Sequence, residues 1–263
     1  MPKFSANLTM MFNEVDFLER FSRASKAGFK AVEYMFPYDW PKDQLVDTLN
    51  QSGMKQILHN LPAGDWAKGD RGIACLPDRK TEFEEGVGLA IEYAKALECP
   101  NLNCLVGLAP QGVSQTEIHE TVIENLKFAA GALEKEGLRL LVEALNNEAV
   151  PGFYLVRTQE VIQLLVEVDH PNIWLQHDVY HMQIMEGNLI QTISENISRI
   201  AHIQIADNPG RHEPGTGEIN FTNLFSAIDR AGYSGWIGCE YIPAGKTEDG
   251  LSWVKPYLER GGD

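Results

Sequence analysis

Eight short apolar runs punctuate this chain, and a longer segment with helical patterning separates each run from the next. The runs are FSANL from Phe4, AVEYM from Ala31, KQILHNL from Lys55, NLNCLV from Asn101, LRLLVEAL from Leu138, NIWLQHD from Asn172, IAHIQIAD from Ile200 and GWIGCEY from Gly235. Strands that alternate with helices pair in parallel, joined by βαβ crossovers. Eight such units in 263 residues match the roughly 250 residues of a closed (β/α)8 TIM barrel of the α/β class. An open doubly wound sheet is the competing architecture. It usually carries a glycine-rich phosphate turn after its first strand, and here that strand is followed by Leu8-Thr9-Met10-Met11-Phe12. No Pro/Gly/Ser-rich linker or charge block divides the chain, so a single domain over 1–263 is expected.

The helical segments carry their own punctuation. In SQTEIHETVIENLKFAAGALEKEG the residues Ile118, Val122, Leu126 and Ala129 recur at helical spacing. Ser114 with Glu117 reads as a capping box and Gly137 as a C-cap. Two connections are unusual. MFPYDWP follows the second run with Phe36, Tyr38 and Trp40, and LPAGDWAKGDRGIACLPDR follows the third with Trp66. Both follow the C-terminal ends of strands, where barrel active sites form, so both are lid candidates.

The charge balance excludes some functions. With 22 basic and 37 acidic residues the formal charge is −15, a field that repels phosphate backbones and argues against nucleic-acid binding. Cys75, Cys99, Cys104 and Cys239 form no CxxC pair and are expected as buried free thiols in a reducing cytoplasm. The N-terminus lacks a signal-peptide core, and no apolar run approaches the roughly 20 residues of a membrane span. No decisive apolar face marks an oligomer contact, so a homo-oligomer is left open.

Four polar residues end the last four runs: Glu143, Asp178, Gln204 and Glu240, about 26–36 residues apart. Residues at the same end of successive barrel strands converge on one spot. Three acids and an amide there repel one another unless a cation sits between them, and oxygen ligands suit a hard divalent ion such as Mg²⁺ or Mn²⁺. Such an ion between two glutamates suits proton transfer beside a carbonyl, with Glu143 and Glu240 as acid and base. Strand alternation favours Gln204 over His202 as the fourth ligand, with His202 one layer deeper as a core histidine. His177 should point away from the axis. His59 and His181 are candidates to bond a substrate oxygen, and Arg71 and Arg211 to hold a carboxylate by a bidentate pair. The GTG at 215–217 reads as a turn before the next helix.

At these residues the chain resembles the xylose-isomerase-like TIM barrels, and within them the hydroxypyruvate isomerase family. The matching stretches are FSANLTMMF, VEYMFPYDW, LHNLPAGDWAKGDRGIACLP, NCLVG, PGFYL, DVYHMQIMEGNL, HIQIADNPGRHEPGTGEIN and GWIGCEYIP, which span nearly the whole chain. Related ketose 3-epimerases place Glu, Asp, His and Glu around their metal; here those positions read Glu143, Asp178, Gln204 and Glu240. The resemblance implies interconversion of hydroxypyruvate and 2-hydroxy-3-oxopropanoate, a small 2-oxo or hydroxy acid substrate, and the two glutamates as acid/base pair. Alternatives within the same barrel family are a 2-oxo-tetronate isomerase or a ketose 3-epimerase. A DNA-repair endonuclease would need a histidine cluster and a basic groove. A non-catalytic sugar-acid-binding barrel is disfavoured by the presence of both glutamates.

Overall fold

The computed structural model describes residues 1–259; positions 260–263 of the expected domain lie outside the described residues. The strands are β1 (Lys3–Asn7), β2 (Ala31–Glu33), β3 (Lys55–Asn60), β4 (Asn101–Cys104), β5 (Arg139–Glu143), β6 (Ile173–Asp178), β7 (Ile200–Ile205) and β8 (Trp236–Cys239). All pair in parallel in sequence order, and β1 closes the ring against β8, as the alternation of runs predicts. Around them lie α1 (Phe17–Lys26), α2 (Lys42–Ser52), α3 (Lys80–Ala96), α4 (Gln115–Lys135), α5 (Thr158–Val168), α6 (Val179–Met185), α7 (Leu189–Asn196), α8 (Phe221–Arg230) and α9 (Lys255–Leu258).

The helices form where their patterns place them. In α4 the stripe Ile118, Val122, Leu126, Ala129 and Leu133 is fully buried, each large aliphatic side chain contributing about 1.5–3 kcal/mol. Ser114 Oγ accepts from Glu117 N at 3.1 Å, which is the forward half of the expected capping box. Gly137 follows at φ 71°, where only glycine turns without strain. No helix among the described residues is long and apolar enough to cross a membrane, and all four cysteines are buried free thiols.

Alternation along each strand divides the side chains between barrel interior and helix layer. Inside the barrel Ser5 and Asn7 on β1 bond Glu33 on the adjacent β2, and Asn103 on β4 bonds Glu143 on the adjacent β5. β3 breaks the rhythm. Val32 pairs with Gln56 but Glu33 with Leu58, so Ile57 is an extra residue and the strand changes face. Asn60 therefore points inward and accepts from Asn103 at 3.2 Å. His59, in register with Leu102, points outward.

Candidate active site

The acids meet at the C-terminal mouth of the barrel. Glu143 ends β5, Asp178 ends β6, and Glu240 directly follows β8. Carboxylate oxygens of these three and a ring nitrogen of His181 lie within 4.8 Å of one another, and all four residues are buried. Glu143 Oε2 accepts from Asn103 at 3.0 Å and from Gln176 at 2.9 Å. Asp178 caps α6: its Oδ1 accepts Tyr180 N at 2.7 Å and His181 N at 3.3 Å. A helix N-terminus suits a carboxylate there. Its Oδ2 is buried with no hydrogen-bond partner.

Arg211 is the cation of this cluster. Its Nη2 pairs with Glu240 Oε2 at 2.5 Å and lies 3.7 Å from Asp178 Oδ2, while its guanidinium rests over the Tyr180 ring. The loop that presents it is wound around Asp207, whose carboxylate accepts the backbone N–H groups of Gly215, Gly217 and Ile219. A Cβ on Gly217 would meet Asn208 O at 2.2 Å. The GTG motif therefore shapes this turn, as expected, and the turn positions Arg211.

Burial and mutual repulsion raise the proton affinity of both glutamates. Glu143 is driven well above the usual carboxylate range by burial first, then by the charges of Glu240 and Asp178. Glu240 is pushed up to about 8 by burial, with Asp178 and Glu33 adding to the rise and Arg211 opposing it. Three carboxylates against one guanidinium leave two negative charges uncompensated when all are ionised. That deficit, the unpartnered Asp178 Oδ2 and the hard oxygen donors together fit a divalent metal ion.

These shifts predict a pH effect on the metal-free protein. Folded Glu240 keeps its proton up to about pH 8, whereas an ordinary Glu loses it near 4.5. The folded state binds more protons over that interval, so this contribution is full below about 4.5 and is lost as pH rises through about 8. Buried His59, His177 and His181 pull the other way, but only below their ordinary value of 6.5. The Tm of chelator-treated protein should therefore fall between about pH 7 and pH 8, and added Mn²⁺ should restore it. A Tm that rises across that window, or ignores Mn²⁺, contradicts the assignment.

His181 stands in the cluster with a defined tautomer. Its Nδ1 accepts the backbone N–H of Asn146 at 3.0 Å and that residue's side-chain amide at 2.7 Å. A backbone N–H can only donate, so the ring proton sits on Nε2, 3.7 Å from Asp178 Oδ2. Burial holds the imidazole neutral by pushing it down to about 4. His181 thus offers a donor to the site and not a lone pair.

Gln204 lies beside the acids. Its Nε2 donates to Glu33 at 2.8 Å and lies 3.3 Å from Glu240 Oε1, and its Oε1 accepts from Gln176 at 2.6 Å. His202 lies deeper and bonds Glu33 at 2.8 Å, matching the expected core histidine. His177 faces Thr158 in the helix layer.

Two sequence candidates are not brought together with the acids. His59 is fully buried on the outer face of β3, bonded to Gln56 at 3.0 Å and edge-on to Tyr38. The bulge in β3 aims Asn60, not His59, into the barrel, so the structure places the expected substrate contact His59 away from the acids. Arg71 stacks on Trp66 at 4.1 Å and donates to the carbonyls of Trp66 and Asp70. Trp66 in turn tilts against Phe36 at 5.3 Å, so the two unusual loops meet. Gly72 anchors the third loop at φ 113°, where a Cβ would sit 1.9 Å from Leu105 O.

Sequence reasoning passed over Glu33. This acid ends β2, is fully buried, and accepts from Ser5, Asn7, His202 and Gln204. Its position at the end of an apolar run was the available signal.

The profile of the xylose isomerase-like TIM barrel family matches residues 21–257. The hydroxypyruvate isomerase of Escherichia coli K12 is 51% identical over 257 residues, covering 98% of this chain and all of the relative. The 2-oxo-tetronate isomerase of Pectobacterium atrosepticum is 45% identical, covering 99% of each chain. A crystal structure described as an AP endonuclease, family 2, from Brucella melitensis superposes with a TM-score of 0.96 at 46% identity, covering 98% of this chain and 99% of that one.

Proposed function

This chain belongs to the xylose isomerase-like TIM barrel family, and we propose that within it the protein is a hydroxypyruvate isomerase, interconverting hydroxypyruvate and 2-hydroxy-3-oxopropanoate. The observation that carries this reading is the pair of buried glutamates, Glu143 and Glu240, in one cluster with Arg211 and a neutral His181 donor. The full-length likeness to the Escherichia coli hydroxypyruvate isomerase supplies the substrate.

The chemistry moves one carbon-bound proton. A carboxylate takes a proton from C3 of hydroxypyruvate, and the electron pair shifts through C2 to the carbonyl oxygen to give an enediolate. Return of a proton to C2, with the O3 proton lost and one gained on the C2 oxygen, completes 2-hydroxy-3-oxopropanoate with no net change in protons. Glu143 and Glu240 hold and return these protons: burial and mutual repulsion raise the proton affinity of both above that of an ordinary carboxylate. His181 Nε2–H donates to a substrate oxygen on which charge develops. A divalent cation held by Glu143, Asp178, Gln204 and Glu240 would supply polarisation of the substrate carbonyl and hydroxyl oxygens.

Arg211 is assigned the substrate carboxylate, because Arg71 is engaged with Trp66 in the loop above. Arg211→Ala should raise KM for hydroxypyruvate more than it lowers kcat. Phe36 and Trp66 pack together in the two loops after β2 and β3, and a mouth narrowed by them favours the three-carbon acid over 2-oxo-tetronates. One extra carbon changes selectivity by only about 1–3 kcal/mol, so kcat/KM values for a panel of 2-oxo acids and ketoses must be compared. A clear preference for the four-carbon substrate selects the 2-oxo-tetronate isomerase reading, which relatives at 43–45% identity support. The formal charge of −15 opposes a nuclease reading.

A further inference from the structure

We propose that Glu33 is a positioning residue that sets the polarity of the Gln204 amide, so that its oxygen and not its NH2 group is left for a cation among the acids. The inference rests on the metal-binding reading of that cluster. A glutamine side chain can present either end, and only its partners choose. A carboxylate accepts and cannot donate, so Glu33 Oε1 requires Nε2 of Gln204, at 2.8 Å. At the other end Nε2 of Gln176 donates to Gln204 Oε1 at 2.6 Å and to Glu143 Oε2 at 2.9 Å. The chain of two amides thus runs from Glu33 to Glu143, and the Glu33 end, which can only accept, sets its direction. Gln204 Oε1 accepts one bond in this chain and keeps a second lone pair.

Glu33 is itself built in. Ser5 Oγ donates at 2.9 Å, Asn7 Nδ2 at 3.2 Å and His202 Nε2 at 2.8 Å. Space for its carboxylate exists because β8 carries Gly238 at that level: a Cβ there would lie 2.3 Å from each Glu33 oxygen. Asn7, held by Glu33, also reaches Glu240 Oε1 at 3.3 Å, the oxygen that Gln204 Nε2 approaches at the same distance. Glu33 therefore orders two amides around Glu240 without touching the centre of the cluster.

Glu33→Gln keeps the shape and abolishes the requirement, since its own amide can accept from or donate to Gln204. Removing an outer partner of a metal ligand typically costs about 10–100-fold in affinity. The test is Mn²⁺ affinity, read by the loss of the free-ion electron paramagnetic resonance signal, on native protein, Glu33→Gln and Gly238→Ala, the last displacing the carboxylate with Glu33 retained. Both variants should bind Mn²⁺ at least about tenfold more weakly, and Glu33→Gln combined with Gln204→Leu should be no weaker than Gln204→Leu alone. Native-like affinity in a folded Glu33→Gln, or full additivity with Gln204→Leu, overturns the proposal. A second measurement needs neither metal nor a Glu33 variant. In metal-free native protein the Gln204 side-chain NH2, assigned by its disappearance in Gln204→Leu, should exchange its protons with solvent far more slowly than the side-chain amides of exposed glutamines. Exchange as fast as that of the exposed glutamines overturns the positioning role. Native protein that shows the ordered amide but binds no Mn²⁺ refutes the metal reading and leaves the amide polarity standing.

Discussion

Glu143→Gln and Glu240→Gln are each expected to lower kcat for hydroxypyruvate isomerisation by at least about 100-fold, the usual loss when a general acid or base is removed. Glutamine keeps the volume of the side chain and can still accept from Asn103 and Gln176 at position 143, so folding should survive. What it cannot do is carry the proton between C3 and C2. The two variants should differ in binding. Glu240→Gln releases Arg211, whose Nη2 now pairs with Glu240, and so should alter KM as well as kcat. Glu143→Gln should act on kcat with little change in KM. Native enzyme run in D2O should place deuterium at C2 of the product, and this label should vanish with activity in both variants. Near-native turnover in either folded variant removes that residue from the proton path.

His181→Ala should lower kcat by about 10²–10³, the effect of deleting one preorganised donor to a developing oxyanion. The loss should fall on kcat, because the bond strengthens as charge builds on the substrate oxygen. The tautomer makes the claim sharper. Asn146 N–H at Nδ1 places the ring proton on Nε2, and burial holds the ring neutral by pushing it down to about 4. The native pH–rate profile should therefore carry no inflection near pH 6.5 from this ring. An inflection there that disappears in His181→Ala would show an imidazolium at work and refute the neutral-donor role. Unchanged kcat would remove His181 from the reaction.

Sequence period alone was enough to place the eight strands, their parallel pairing and the closure of β1 on β8, because alternating strand and helix patterns admit few architectures. It was enough, too, to bring Glu143, Asp178 and Glu240 to one mouth, since residues ending successive barrel strands must converge. His181 followed from lying three residues past Asp178, although its tautomer depends on Asn146, 35 residues away. What only the tertiary structure decided are matters of facing and partnership. Ile57, an extra residue in β3, turned His59 out to the helix layer, and a bulge leaves no reliable mark in a run such as KQILHNL. Arg71 and Arg211 are chemically alike, and the packing of Trp66 and the Asp207-wound loop separated them. Glu33 gained its meaning from Ser5 on the neighbouring strand β1 and from His202, Gln204 and Gly238, residues on β7 and β8 that meet β2 only across the closed barrel. Periodicity fixes which face of its own strand a residue occupies, whereas hydrogen bonds across the barrel interior exist only once closure has brought distant strands within reach.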